Sequence, residues 1–129
     1  MHSIVRRPQT LDLFSKSIVI DLDDTICVSD KSIQDIYEKY ISAEPKLDII
    51  QGMRRIHSEG WYITIHTARH MLSCYNDPDE AFARLGKITA DWLDAYKVPF
   101  DQLIFGKPYG MAYIDDKAMS LHEFITFST

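Results

Sequence analysis

Cysteine is scarce in this chain, two in 129 residues, and Cys27 and Cys74 stand at neither CxxC nor zinc-ligand spacing. A thiolate metal centre has no ligands to draw on, and a reducing cytosol is the expected home. No apolar run approaches the roughly 18 residues of a membrane span. The opening MHSIVRRPQT has no apolar signal core, so no membrane partner is expected. A basic surplus is missing too: 14 Lys and Arg stand against 19 Asp and Glu, for a net charge of -5. Phosphate backbones normally need a basic face, so this balance speaks against a nucleic-acid partner while leaving room for a local basic pocket. Repeats, low-complexity tracts and Gly/Ser linkers are lacking as well. Residues 1–129 are therefore read as one domain, with its core over about 17–127.

Apolar runs supply the organisation. Ser17 to Leu22 is continuous rather than alternating, which predicts a buried strand of a parallel sheet covered on both faces. Trp61 to Thr67, Gln102 to Phe105 and Met111 to Ile114 are further strand candidates. Helical spacing recurs at Ile33, Ile36, Tyr37, Tyr40 and Ile41, and at Phe82, Leu85, Ile88, Trp92 and Tyr96. Pro45 and Pro78 each suit a first helical turn, Asp77 an N-cap and Gly60 a helix end. The order strand, helix, helix, strand, helix, two short strands and a final helix implies an α/β fold.

Ligand sites of such sheets form outside the carboxyl ends of the strands. The residues there are Asp21, Asp23 and Asp24, then Thr67 and Arg69, then Lys107, then Asp115 and Asp116. Alternation along an extended chain turns Asp21 and Asp23 to one side and Leu22 and Asp24 away. Alone, the two acids would repel and one would stay protonated. With Asp115 or Asp116 they would form the hard oxygen cage that Mg²⁺ accepts. Thr67 and Lys107 suit the oxygens of a phosphoryl group. The set reads as a hydrolytic site in which Asp21 attacks phosphorus and Asp23 first protonates the leaving oxygen, then deprotonates water.

DLDDT, Thr67 in HTAR, Lys107 in GKP and IDD at Asp115 and Asp116 resemble the four ordered motifs of the haloacid dehalogenase (HAD) superfamily. The resemblance spans Ser17 to about Ala118 and implies a Rossmann-like, mainly parallel sheet flanked by helices. It implies Asp21 as nucleophile, Asp23 as acid/base and as metal ligand through its backbone carbonyl, and Thr67 and Lys107 on the phosphate. One of Asp115 and Asp116 would complete a magnesium shell. An acidic residue at Asp23 goes with phosphate-ester hydrolysis in that superfamily. The intervals between motifs leave no room for a folded cap domain. The chain is thus similar to small capless bacterial phosphatases of capsule and surface-polysaccharide biosynthesis, with a comparable HTAR and FGKP…IDDKA layout. That likeness implies a small sugar, heptose or polyol phosphate as substrate. Capless members act on bulky substrates or close their sites by oligomerising, so a homo-oligomer is one expectation.

Other residues have plainer readings. Asp24 suits a turn, and Arg69 either contacts substrate or pairs with a carboxylate. His66 and His70 flank Thr67 but read as structural, Lys117 as a helix-start or solvent residue, and Cys27 as a small apolar side chain. The aromatics from Phe82 to Tyr96 read as core. Two rival functions share the parts: a receiver-like phospho-switch and a polynucleotide-end phosphatase. Chain order argues against the first, because an acid pair follows Lys107, and acidic balance argues against the second. One tension stays within the fold reading. Lys107 to Gly110 are too few for a parallel crossover, so Gln102 to Phe105 is expected as an edge piece with Lys107 reaching the site sideways.

Overall fold

Tyr62–Thr67 sets four β-branched residues, Ile63, Thr64, Ile65 and Thr67, behind a tyrosine, side chains that fit a pleated surface, and the sheet is laid around it. In the computed structural model, which describes residues 2–129, the order is β1 (Ser3–Val5), a 3-10 helix (Leu11–Lys16), β2 (Ser17–Ile20), β3 (Cys27–Val28), α1 (Ile36–Ile41), β4 (Glu44–Pro45), α2 (Leu47–Ser58), β5 (Tyr62–Thr67), α3 (Pro78–Ala95), β6 (Gln102–Phe105) and α4 (Leu121–Phe127). One sheet has the order β1-β6-β5-β2. β2, β5 and β6 are parallel, and β1 runs antiparallel to β6. The result is a small α/β domain with a mixed sheet flanked by helices.

Helix ends follow local chemistry. Asp77 caps α3 by accepting from the Asp79 and Glu80 N–H groups, with Pro78 in the first turn. Gly60, at φ +92°, ends α2: its N–H bonds to His57 and that of Trp61 to Ile56, a pairing that satisfies the last carbonyls of the helix. Ser120 and Glu123 form a reciprocal capping box on α4. Pro45 lies just outside α2, in β4, because Lys46 takes the N-cap position. Ile49, Ile50, Met53 and Ile56 of α2 and Leu85, Trp92 and Leu93 of α3 enter the core with Ile63, Ile65, Leu103 and Phe105. Phe82 meets Phe105 edge to face at 5.5 Å and Trp92 is buried, so these two pack the core, whereas Tyr96 at the end of the series is exposed.

Three expectations are corrected. Met111 to Ile114 is not a strand: Met111 and Ile114 are fully exposed, and no regular element lies between β6 and α4. Gln102–Phe105 is not an edge piece, because Ser3–Val5 provide the edge strand β1. The run at Ser17 is not covered on both faces either: β2 ends the sheet and Val19 is 66% exposed.

Between β2 and α2 the chain makes an excursion that carries α1 and is closed by the two-residue β3–β4 ladder. α1 packs on α3, and the Trp92 indole N–H donates to the Ala43 carbonyl at 3.0 Å. At the other end of the sheet Asp101, buried, accepts from the Ile63 N–H at 2.8 Å, Arg7 Nε at 3.0 Å and His57 Nε2 at 3.3 Å. Burial alone would raise this carboxyl, but the three donors outweigh it and hold it below the ordinary range. A depressed carboxyl stabilises the fold above the unfolded value of about 3.9, and that stability is lost as pH falls through the folded value. Asp101→Asn is expected to cost about 2 to 3 kcal/mol at neutral pH. Urea unfolding should also show the variant losing part of the wild type's stability decline below about pH 4; an unchanged decline would remove Asp101 as its source.

Candidate active site

Three strand exits converge. Asp21 follows β2, Thr67 closes β5, and Lys107 comes two residues after β6. The Lys107 N–H bonds to the Thr67 carbonyl at 3.0 Å, which draws the chain leaving β6 across the end of β5. Gly106 makes the bend at φ +101°, a conformation costly for any residue with a Cβ. From there Lys107 Nζ comes within 3.6 Å of Asp21 Oδ1 and lies 4.1 Å from the centre of the Tyr113 ring. Lys107 thus reaches Asp21, at the exit of β2, from the exit of β6 and across the end of the intervening β5.

Asp21 and Asp23 line one cavity of roughly 420 Å³, together with Asp24, Thr67 and Arg69. That is a volume typical of small-molecule sites. The two acids have different partners. Burial lifts the Asp21 carboxyl above its ordinary range by more than the Lys107 ammonium and the Leu22 N–H lower it, and the charge of Asp23 adds to the rise. Asp23 instead faces a guanidinium: Arg69 Nη2 donates to Oδ1 at 2.7 Å and Nε to Oδ2 at 3.1 Å. Arg69 also donates to Thr89 Oγ1 at 3.0 Å, and its guanidinium lies 4.0 Å over the Tyr40 ring. Burial works against the Arg69 charge, yet Asp23 outweighs it, so the guanidinium is held above its usual value. With its side chain only 2% exposed, Arg69 is a carboxylate-pairing residue here rather than a free substrate contact.

Thr67 is buried, and its Oγ1 accepts from the Arg69 N–H at 2.9 Å, which leaves the hydroxyl proton to be donated into the cavity. Cys27 lies against Asp23 and Arg69, and burial followed by the charge of Asp23 pushes its thiol up to about 12, in keeping with a packing role. Asp24 takes a left-handed turn at φ 64°, as its turn reading implies. His70 lines this cavity, while His66 lines a second concavity; burial lowers both imidazoles.

The second concavity, about 980 Å³, runs along β2 to α4 and meets the first at Asp21. Asp115 lines it along with Lys107, but Asp116 stands in solvent beside Lys117. The late acids are not gathered with the early ones: among the described residues no group of three His, Cys, Asp or Glu could hold a metal as placed. Tyr40, Thr89 and Tyr113 were not singled out from sequence as parts of the site. Tyr40 reads as one of a helical series, Thr89 has no reading of its own, and Tyr113 falls within a run expected to be a strand.

The cavity thus lies at the carboxyl end of a small α/β domain. A crystal structure of an MCSG target from Vibrio cholerae matches the chain at 33% identity and a TM-score of 0.75, over 86% of this chain and 88% of that one. The chain belongs to the same family as that protein, a relationship that names no activity. No family model and no curated protein matches it. Among the described residues no helix is long and apolar enough to cross a membrane.

Removing the Arg69 side chain leaves Asp23 uncompensated at the cavity floor. Arg69→Met is expected to lose about 2 to 3 kcal/mol in chemical denaturation, whereas a loss under about 0.5 kcal/mol would show that the pair contributes nothing to the fold. Asp21 has the opposite sign. A carboxyl raised by folding stabilises below its unfolded value and ceases to as pH rises through the folded one. Asp21→Asn in metal-free buffer should therefore melt on the order of 1 to 3 °C higher than wild type at neutral pH, with the gap closing in acid.

Proposed function

We propose that the protein is a magnesium-dependent phosphatase of the HAD type, acting on a small phosphate monoester such as a sugar, heptose or polyol phosphate. The observation that carries this reading is the convergence of three strand exits: Asp21 and Thr67 line one small cavity, and Lys107, whose N–H bonds to the Thr67 carbonyl, brings its ammonium to within 3.6 Å of Asp21. Asp21 Oδ attacks phosphorus and the ester oxygen leaves, giving an aspartyl-phosphate that water then cleaves. The Thr67 hydroxyl and the Lys107 ammonium donate to the non-bridging oxygens, where charge is redistributed during transfer. Asp23 gives its proton to the leaving oxygen and takes one back from water. For that exchange its carboxyl must turn from the Arg69 fork, which fixes its resting position.

Magnesium fits the donors in kind. Asp21 offers a carboxylate, and among the described residues the Asp23 carbonyl accepts no hydrogen bond. Both are the hard oxygens that Mg²⁺ prefers, with water and phosphate oxygens filling the remaining positions. A further carboxylate would come from Asp115, which lines the concavity leading to Asp21 and is better placed than Asp116. When bound, the ion would offset the repulsion between an anionic nucleophile and an anionic ester. By the likeness in motifs, the setting would be capsule or surface-polysaccharide biosynthesis, with the enzyme in the cytoplasm.

Inorganic phosphate release from a panel of sugar, polyol, nucleotide and oligonucleotide-end phosphates tests the reading. Wild type should turn over at least one small ester, lose activity in EDTA and regain it with Mg²⁺, and Asp21→Asn should lose at least about a thousandfold. Undiminished release by Asp21→Asn would remove the covalent mechanism. Slow, stable labelling of Asp21 without turnover would make the chain a phospho-switch.

A further inference from the structure

The excursion between β3 and β4 stands over the cavity and brings Ser29, Lys31, Lys39 and Tyr40 to its wall. Its cations differ in their engagement. Lys31 pairs with Asp24 at 3.6 Å, and deeper in the cavity Arg69 is committed to Asp23; beyond the wall, Lys107 faces Asp21. Lys39 alone of these has no carboxylate partner among the described residues. Half-buried in the last turn of α1, it has only the Tyr40 ring, 5.3 Å away. Tyr40 is in turn held from beneath by the Arg69 guanidinium, so the platform beside Lys39 is fixed.

A half-buried lysine that lines a cavity and has no carboxylate partner leaves one positive charge for a ligand to meet. We propose that Lys39 is a specificity residue that binds a carboxylate on the substrate, remote from the phosphoryl group, so that the preferred ester is a phosphorylated hydroxy acid or sugar acid. This rests on the phosphatase reading of the same cavity. Charge selects a carboxylate over a second phosphoryl group. One unpaired ammonium balances one negative charge, and the wall already carries Asp21, Asp23 and Asp24, which would repel a second dianion. Ser29 and Ser73 line the same cavity and offer hydroxyl donors to the second carboxylate oxygen.

The test uses a pair of esters of the same carbon skeleton, glycerol 3-phosphate and 3-phosphoglycerate, which differ in the carboxylate. Their dissociation constants would be measured by calorimetry on Asp21→Asn, where no turnover is needed. The carboxylated ester should bind about tenfold more tightly, a preference that Lys39→Met abolishes and Lys39→Arg restores. Raising salt should shrink the preference as well. Equal binding of the two esters, or a preference that survives Lys39→Met, overturns the proposal. Failure of both esters to bind overturns it, while the phosphatase reading stands or falls separately on phosphate release from the wider panel. A Lys39-dependent preference in a protein whose wild type releases no phosphate would sink only the phosphatase reading.

Discussion

A guanidinium buried behind a carboxylate holds this site together. Arg69 follows β5 by two residues, and its own N–H fixes Thr67 while its fork fixes Asp23. The same group reaches Thr89 on α3 and lies over Tyr40 on α1. Three segments distant in sequence are thereby tied to one planar cation. Burying such a charge is costly unless its donors are satisfied. Here they are, and no buried side-chain nitrogen or oxygen among the described residues lacks a partner. Satisfied networks of this kind select one arrangement rather than many, which a cavity floor requires.

That tie also separates two acids which sequence alone makes look equivalent. Asp23 meets a fixed, two-pronged partner, whereas Asp21 meets a single ammonium at 3.6 Å and a setting in which burial disfavours charge. A carboxylate poorly compensated by the protein keeps its lone pairs for a ligand. Stability is given up at Asp21 and recovered at Asp23 and Asp101, so the cost falls where the proposed chemistry takes place.

Much of this was legible before any coordinates. The strand at Ser17, the helix after Pro78, the Gly60 stop and the gathering of Asp21, Asp23, Thr67 and Lys107 all follow from apolar periodicity, capping chemistry and the rule for strand exits. β1 was not legible: three residues, Ser3–Val5, are too few for a period, and they are a strand only because β6 offers them an edge. The pairing of Arg69 was one of two open readings, since sequence spacing does not report that Thr89 and Tyr40 surround it. Met111 to Ile114 failed for a different reason. Its composition suits a strand, but composition carries no information on whether the chain can reach the sheet edge.

Reach decides that case. Lys107 is pinned to the end of β5 by its bond to Thr67, and four residue steps from it to Met111 span at most about 14 Å. To lie parallel beyond β2, Met111 would have to be three strand spacings from the line of β6, about 14 Å, and lower by the length of β2, about 13 Å. The straight line between those points is about 19 Å, and it passes through the sheet. Parallel pairing of this segment with its own β2 is therefore closed by geometry, and the open edge at Val19 follows from it. Side-chain contacts hold the segment instead: the Tyr113 ring against Lys107, and its hydroxyl donating to the Pro108 carbonyl at 2.6 Å. Asp115 accordingly hangs from an irregular strap tethered to Lys107, the residue that faces Asp21. Under the phosphatase reading, the last metal carboxylate and the phosphate-binding ammonium would then be positioned together, by one tyrosine rather than by a ladder of backbone hydrogen bonds.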